Sequence, residues 1–525
     1  MRRFVFIAAL AAACALLPPS AAAAQTSSPD SVPSGKAAVR PERSVTHGTV
    51  TVEGTKISYR AVAGTIILRN DDDEATGSMF YVAYLKEGAD PSTRPVTFLY
   101  NGGPGSSSLW LHMGAFGPRR VATADHDHTA AAPYELVNND YSLLDASDLV
   151  FVDAMGTGFS RIIGKDEGGA GDPKDFYGVD PDARSFADFI TRFLSEYGRW
   201  NSPRYLFGES YGTTRSAVLA NDLENGRDVD LNGVVLLSEI LSYDLSDVDG
   251  PQRNPGMDLS YELALPTYAA TAWYHDALPD RPAELEPFLQ EVEGFAMGDY
   301  AHALQQGAAL DSAALRSVAG KMHAYIGLPV DYLVKADLRV NGGEFTKELL
   351  GAQESTVGRL DTRFRGPTID PLSEEAAYDP QASAISSAYV SLFNDYVRKV
   401  LGFGKGKTYR PEVNLWEKGW DFRHTPPGAQ YPPSVATNVM PDLAHAMKTN
   451  PNLEVMLNSG YFDLATPFYA AEYTMRHLPM ERRLQKNISY ELYRSGHMVY
   501  AHVPSLKHLH DAVAKFIEST DNVGS

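Results

Sequence analysis

The segment Gly208-Glu209-Ser210-Tyr211-Gly212 sets a serine midway between two glycines, the spacing of a nucleophile exposed on a sharp strand-to-helix turn. A serine hydroxyl attacks a carbonyl only with a base to take its proton, and the base needs an acid to orient it. The chain offers both, further on and in the order acid then base: Asp463 within "GYFDLATP" and His497 within "SGHMVY". The competing histidines His502, His508 and His510 fall in or beside a C-terminal helical pattern and are expected to face solvent. Attack on a carbonyl also creates an oxyanion, which needs backbone N–H donors. Tyr211, directly after the serine, offers one; the glycine-rich "NGGPGSSSL" at 101–109 offers another, with Gly103 the expected donor. Glu209 is the awkward member, because it puts an ionisable carboxyl beside a reaction that itself develops negative charge.

These residues need a frame, and the apolar patterning supplies one. From residue 95, strand-like runs ("VTFLYNGG", "DLVFVDA", "RYLFGE", "NGVVLLSEIL") alternate with helical ones. In "DARSFADFITRFLSEYG", Phe186, Phe189, Ile190, Phe193, Leu194 and Tyr197 share one helical face. Such alternation predicts a parallel sheet covered on both sides, with Ser210, Asp463 and His497 in turns at strand C-terminal ends, where open α/β sheets assemble sites. Ahead of it, "GTKISYRAVAGTIIL" and "SMFYVAYL" flank "RNDDDEATG" as a hairpin, and Asp71-Asp72-Asp73-Glu74 reads as a solvated turn without calcium-loop spacing. Residues 244–435 lose the alternation in favour of Pro-rich loops and amphipathic stretches such as "AELEPFLQEVEGFAMGDYAHAL". Sheet-like order returns with "NLEVMLNSG" and "ISYELYRSG", and "SLKHLHDAVAKFIES" closes the chain as a helix. The expected division is therefore a core at 46–243 and 436–525, interrupted by an insertion at 244–435.

"NGGPGSSSL", "DAMGTGFS", "GESYG", "GYFDLATP" and "SGHMVY" occur in the order found in serine carboxypeptidases of the carboxypeptidase Y type, and the chain resembles that family over roughly residues 95–241 and 450–503. The resemblance implies an α/β-hydrolase fold with a mostly parallel central sheet and a large, mainly helical lid insertion. It implies hydrolysis of the last peptide bond through an acyl-enzyme on Ser210, with His497 and Asp463 completing the triad and no cofactor. It also gives Glu209 a purpose: in the family the acid before the nucleophile holds the substrate's terminal carboxylate, helped here by Asn101 and the Gly102 N–H. Two carboxylates pack together only if one carries a proton, so Glu209 is expected to be protonated and to favour acidic pH. The sequence departs from the family pattern at several places. Ser106 replaces a cysteine, Leu99 replaces a tryptophan, Ala115 stands where a second carboxyl is expected, and Thr466 stands where cysteine is frequent. Met498 matches the pattern, and Leu99 and Met498 are candidate pocket residues. Esterases and carboxypeptidase-like acyltransferases share the same motifs and stay open as alternatives, as does an inactive protein that binds in the cleft.

Composition bounds the rest. With 44% hydrophobic and 21% charged residues, the 525-residue chain has an ordinary globular make-up. Arg2 and Arg3, the apolar run Phe4–Leu17 and Ala22-Ala23-Ala24 predict a signal peptide at 1–24, then a flexible Ser/Pro-rich segment at 25–45. Export to a periplasm or the extracellular medium follows. Cys14 is the one cysteine and lies in that leader, so the processed chain has no disulfide and no thiolate metal site. A formal charge of −20 repels nucleic acid, and no later segment reads as a membrane anchor. "GKGKT" at 404–408 has Leu401 where a phosphate-binding loop needs its first glycine, and the His126-x-His128 pair has no evident third ligand, so both read as solvated loops and no metal is expected. The expected partners are peptides with a free C-terminus; the sequence specifies no oligomeric state.

Overall fold

The computed structural model describes residues 39–246 and 255–523; the leader expected at 1–24 and residues 25–38 of the segment after it lie outside these. The period-two stretches form three antiparallel strands, β1 (Arg43–Val52), β2 (Thr55–Arg69) and β3 (Ala75–Lys86). The acidic turn between β2 and β3 closes on itself, the Glu74 N–H donating to Asn70 Oδ1 at 2.9 Å. Six strands then run parallel to one another: β4 (Val96–Tyr100), β5 (Asp148–Val152), β6 (Arg204–Glu209), β7 (Gly233–Leu237), β8 (Glu454–Gly460) and β9 (Ile488–Tyr493). The sheet order is β1-β2-β3-β5-β4-β6-β7-β8-β9, with the short strand Arg161–Ile162 pairing to β3 off that path. The mostly parallel sheet expected from the sequence is present.

Its central strands are buried along their whole length, and alternate residues feed opposite layers. Phe98, Tyr100, Val234 and Leu236 face one layer; Leu99, Val235 and Leu237 face the other. The principal helices are α1 (Val179–Tyr197), α2 (Tyr211–Gly226), α3 (Leu259–Tyr274), α4 (Leu285–Phe295), α5 (Ser312–Ile326), α6 (Pro380–Lys399), α7 (Met440–Thr449) and α8 (Val503–Thr520). The apolar stripe of α1, with α2 and α7, covers the first layer, while α8 covers the second through Leu506, Leu509, Val513 and Ile517.

The stretch 244–435 behaves as two parts. Helices α3 to α5 build a separate apolar cluster around Leu265, Tyr268, Leu289 and Met322, and that cluster closes over Phe462, Leu464 and Phe468 from the turn after β8. Helix α6 instead packs Ile385, Tyr389 and Phe393 into the second layer of the sheet's own core. Leu415 and Trp420, further along, join the first layer.

Candidate active site

Strand β6 ends at Glu209 and helix α2 begins at Tyr211, so Ser210 alone makes the turn, at φ +61° and ψ −130°. A non-glycine residue holds such a conformation only where its surroundings over-determine it. Here the surroundings are backbone. A Cβ on Gly208 would stand 2.2 Å from the Gly212 carbonyl oxygen, and one on Gly102 would stand 2.4 Å from the Tyr211 nitrogen. Both glycines are needed for the 101–103 loop, the strand end and the helix start to close together. The Ser210 N–H donates to the Leu237 carbonyl at 3.0 Å, tying the turn to β7.

Asp463 and His497 come from the turns after β8 and β9, and His497 Nδ1 lies 2.8 Å from Asp463 Oδ2. Asp463 is fully buried, with Oδ1 accepting from the Ala465 and Thr466 N–H groups at 2.9 and 3.0 Å and Oδ2 from the Thr466 hydroxyl at 2.7 Å. A carboxylate so held fixes the imidazole ring beside it and leaves Nε2 for proton transfer. Burial opposes charging of His497, but the anions at Asp463 and Glu209 outweigh it and hold its pKa above the ordinary value. Thr466, which the sequence marks only as a departure, is thus a positioning group for Asp463.

Glu209 is 3% exposed. Its Oε2 accepts from Asn101 Nδ2 at 2.7 Å, and the Tyr500 hydroxyl reaches Oε2 at 2.9 Å and Oε1 at 3.1 Å. Burial pushes its carboxyl up to about 7, against the pull of His497, Tyr500 and Asn101. Tyr500 is a partner that the sequence reading missed. Its ring takes the space beside Gly114, where a Cβ would come within 2.5 Å of it, and Ala115, at the expected second-carboxyl position, is buried beside that glycine. A phenol, not a second acid, therefore faces Glu209.

Asn101 is itself held at both ends. Its Oδ1 accepts from the Leu111 N–H at 3.1 Å, and its carbonyl accepts from Arg215 Nη1 at 2.8 Å. Arg215 is wholly buried and paired with Asp182 at 2.7 Å, another support that local patterning did not reveal. One cavity of about 430 Å³ brings together Asn101, Gly102, Gly103, Glu209, Ser210, Tyr211, His497 and Met498. Leu99 is a correction: its side chain alternates away from the cavity into the sheet's second layer, fully buried. His510 is another, since it is 2% exposed and lies 3.0 Å from Asp145, not in solvent. His126 and His128 are exposed, and among the described residues no group of three or more His, Cys, Asp or Glu side chains is placed to hold a metal.

Residues 55–245 match the family model described as serine carboxypeptidase. Among curated proteins, "Serine carboxypeptidase-like 16" of Arabidopsis thaliana is 26% identical over 223 residues, covering 40% of this chain and 45% of the relative. "Serine carboxypeptidase S10 family member 1" of Dictyostelium discoideum is 29% identical over 144 residues, covering 27% and 30%. The chain thus spans less than half the length of these relatives. Among solved structures, the prohormone-processing carboxypeptidase Kex1 of Saccharomyces cerevisiae superposes with a TM-score of 0.55 at 16% identity, over 89% of this chain and 93% of that one. That likeness shows the fold, an α/β hydrolase.

Proposed function

We propose that this chain, which over residues 55–245 belongs to the serine carboxypeptidase family, is a serine-type carboxypeptidase that removes the last residue of peptides. The observation that carries the reading is Glu209: a buried carboxyl, held by Asn101 and Tyr500, opening with Ser210 and His497 onto one cavity. In its protonated form it donates to a substrate carboxylate, with Asn101 and the Gly102 N–H as further donors. Ser210 attacks the last peptide bond while His497 takes its proton and Asp463 holds the imidazole. The Gly103 and Tyr211 N–H groups stabilise the oxyanion, worth about 2.7–4 kcal/mol per donor at comparable sites. His497 then protonates the leaving amino acid, and water, activated by the same histidine, hydrolyses the acyl-enzyme.

Mass spectrometry of one peptide and its C-terminally amidated twin, incubated with enzyme and with Ser210→Ala at about pH 5 and 7.5, tests this. Stepwise loss of residues from the free acid alone is the expected result. Equal cleavage of both twins would keep the triad and discard Glu209 as selector. Turnover of neither would sink the reading. The proposal includes export, with residues 1–24 removed; N-terminal sequencing of the protein from culture medium and periplasm should start at Gln25.

A further inference from the structure

Leu237 and Ser238 follow each other where β7 ends, and each holds one member of the proposed reacting pair. The Leu237 carbonyl accepts from the Ser210 N–H at 3.0 Å, and the Ser238 hydroxyl donates to the His497 carbonyl at 2.8 Å. The Ser238 N–H donates in turn to the Asn458 carbonyl at 2.9 Å, close to where β8 gives way to the turn carrying Asp463. One dipeptide thus joins the turns after β6, β8 and β9.

A serine is a costly residue at this place. The φ of Ser238 is +54°, a region in which glycine rests freely and a residue with a β-carbon is strained. The chain beyond it is fastened in that course. The Ile240 N–H donates to Thr213 Oγ1 of α2 at 2.9 Å, and the Glu239 carboxylate side accepts from the Leu241 N–H. Ser238 is fully buried, and what its hydroxyl engages there is the His497 carbonyl. Strain of this kind persists where the side chain returns something for it.

His497 is held from its other side by the insertion, its N–H donating to the Leu360 carbonyl at 2.6 Å. The Asp463 carboxylate sets how the imidazole turns; the two backbone bonds set where the residue stands. The glycine-rich loop is braced elsewhere, by pairing of 105–107 with 411–413: the Ser107 N–H donates to the Pro411 carbonyl at 2.9 Å and the Val413 N–H to the Gly105 carbonyl at 2.8 Å. Leu237-Ser238 is therefore the direct tie between the backbones of Ser210 and His497. We infer that Ser238 is a positioning residue of the proposed triad, setting the reach of His497 Nε2 to the Ser210 hydroxyl. The inference rests on the carboxypeptidase reading, with His497 as its base, and deepens it.

The test compares wild type, Ser238→Gly and Ser238→Ala on an N-acyl dipeptide and on an N-acyl amino acid ester, with a thermal melt of each protein. Both variants lose the hydroxyl, and glycine alone also relieves the backbone. The expected result is a fall in kcat of about ten- to a hundredfold in both, with KM unchanged. Peptide and ester should suffer alike, because His497 serves both. The melting temperature of Ser238→Gly should stay within about 3 °C of wild type, since backbone relief offsets the lost hydrogen bond; that of Ser238→Ala should lie below it. Wild-type kcat in Ser238→Gly would overturn the inference, and so would a loss carried by KM. A kcat loss that merely follows collapse of the melting transition in both variants would overturn it too, making Ser238 a support of the fold alone. None of these results touches the carboxypeptidase reading. Ester turnover without peptide turnover by wild type would remove that reading and leave Ser238 to be judged on the ester, whereas turnover of neither would remove both.

Discussion

Glu209 and His497 influence each other, and that coupling makes the pH behaviour specific. The Glu209 anion helps hold the His497 pKa above its ordinary value, and His497 in turn pulls Glu209 down. In the proposed mechanism a proton on Glu209 favours substrate binding, whereas a proton on His497 disables the base, and their mutual influence couples the two titrations. In Glu209→Gln the anion is gone and the His497 pKa falls. Its acid limb for hydrolysis of an N-acyl ester should move to lower pH, while kcat/KM for peptides drops at least tenfold; pH–rate profiles on both substrates check this. Tyr500→Phe acts in the opposite sense on the other limb. Losing the phenol donor raises Glu209 beyond about 7, so peptide hydrolysis should persist to higher pH, by on the order of one unit. An unchanged alkaline limb in that variant would show that Tyr500 does not set the charge of Glu209.

Between elements, the clearest long-range clamp lies away from the cavity. His424 sits between Asp180 at the start of α1, at 2.5 Å, and Asp442 in α7, at 2.7 Å, fastening the loop after Trp420 to two helices. Its two hydrogen-bonded acids outweigh burial and raise its pKa to about 9. A raised pKa means that the charged form is favoured by folding, so its stabilisation is complete below the unfolded value of about 6.5 and fades as pH climbs through about 9. The scale is on the order of 3 kcal/mol at its fullest. Thermal melts of wild type and His424→Gln should therefore differ by several degrees near pH 6 and converge towards pH 9.5. Nothing in the sequence marked His424, whereas the elements it joins were legible. The face of α1 and the strand runs follow from periods of 3.6 and 2 that each segment carries internally. A partner 244 residues away in the chain leaves no such period.

For the molecule as a whole, the same division holds. The candidates Ser210, Asp463 and His497 were readable because a sharp strand-to-helix turn and its proposed partners sit in short motifs at strand ends, and the parallel sheet follows from the alternation of strands and helices, whereas the order of its strands, with β5 between β3 and β4, was not legible. Tyr500 stood in the quoted "SGHMVY" but had no visible role, since its contact with Glu209 spans 291 residues. Leu99 was misplaced because family position, not strand parity, suggested the pocket; the alternation of β4 already pointed it inward. The insertion's two parts were indistinguishable in sequence, because α4, α5 and α6 are amphipathic alike, and only the packing partner separates them; α3 differs in being buried on every side from Ser260 to Ala272.

The pairing of 105–107 with 411–413 uses backbone hydrogen bonds alone, with Ser106 at the place where the resembled family has a cysteine, and no described residue is a cysteine. The glycine-rich loop at 101–109 therefore has nothing for a thiol reagent to cut or an oxidant to link. Millimolar dithiothreitol or oxidised glutathione should leave both the turnover rate and the melting temperature where they were, as paired assays would register. The enzyme would then act alike in reducing and oxidising surroundings, with no isomerase needed to assemble its site.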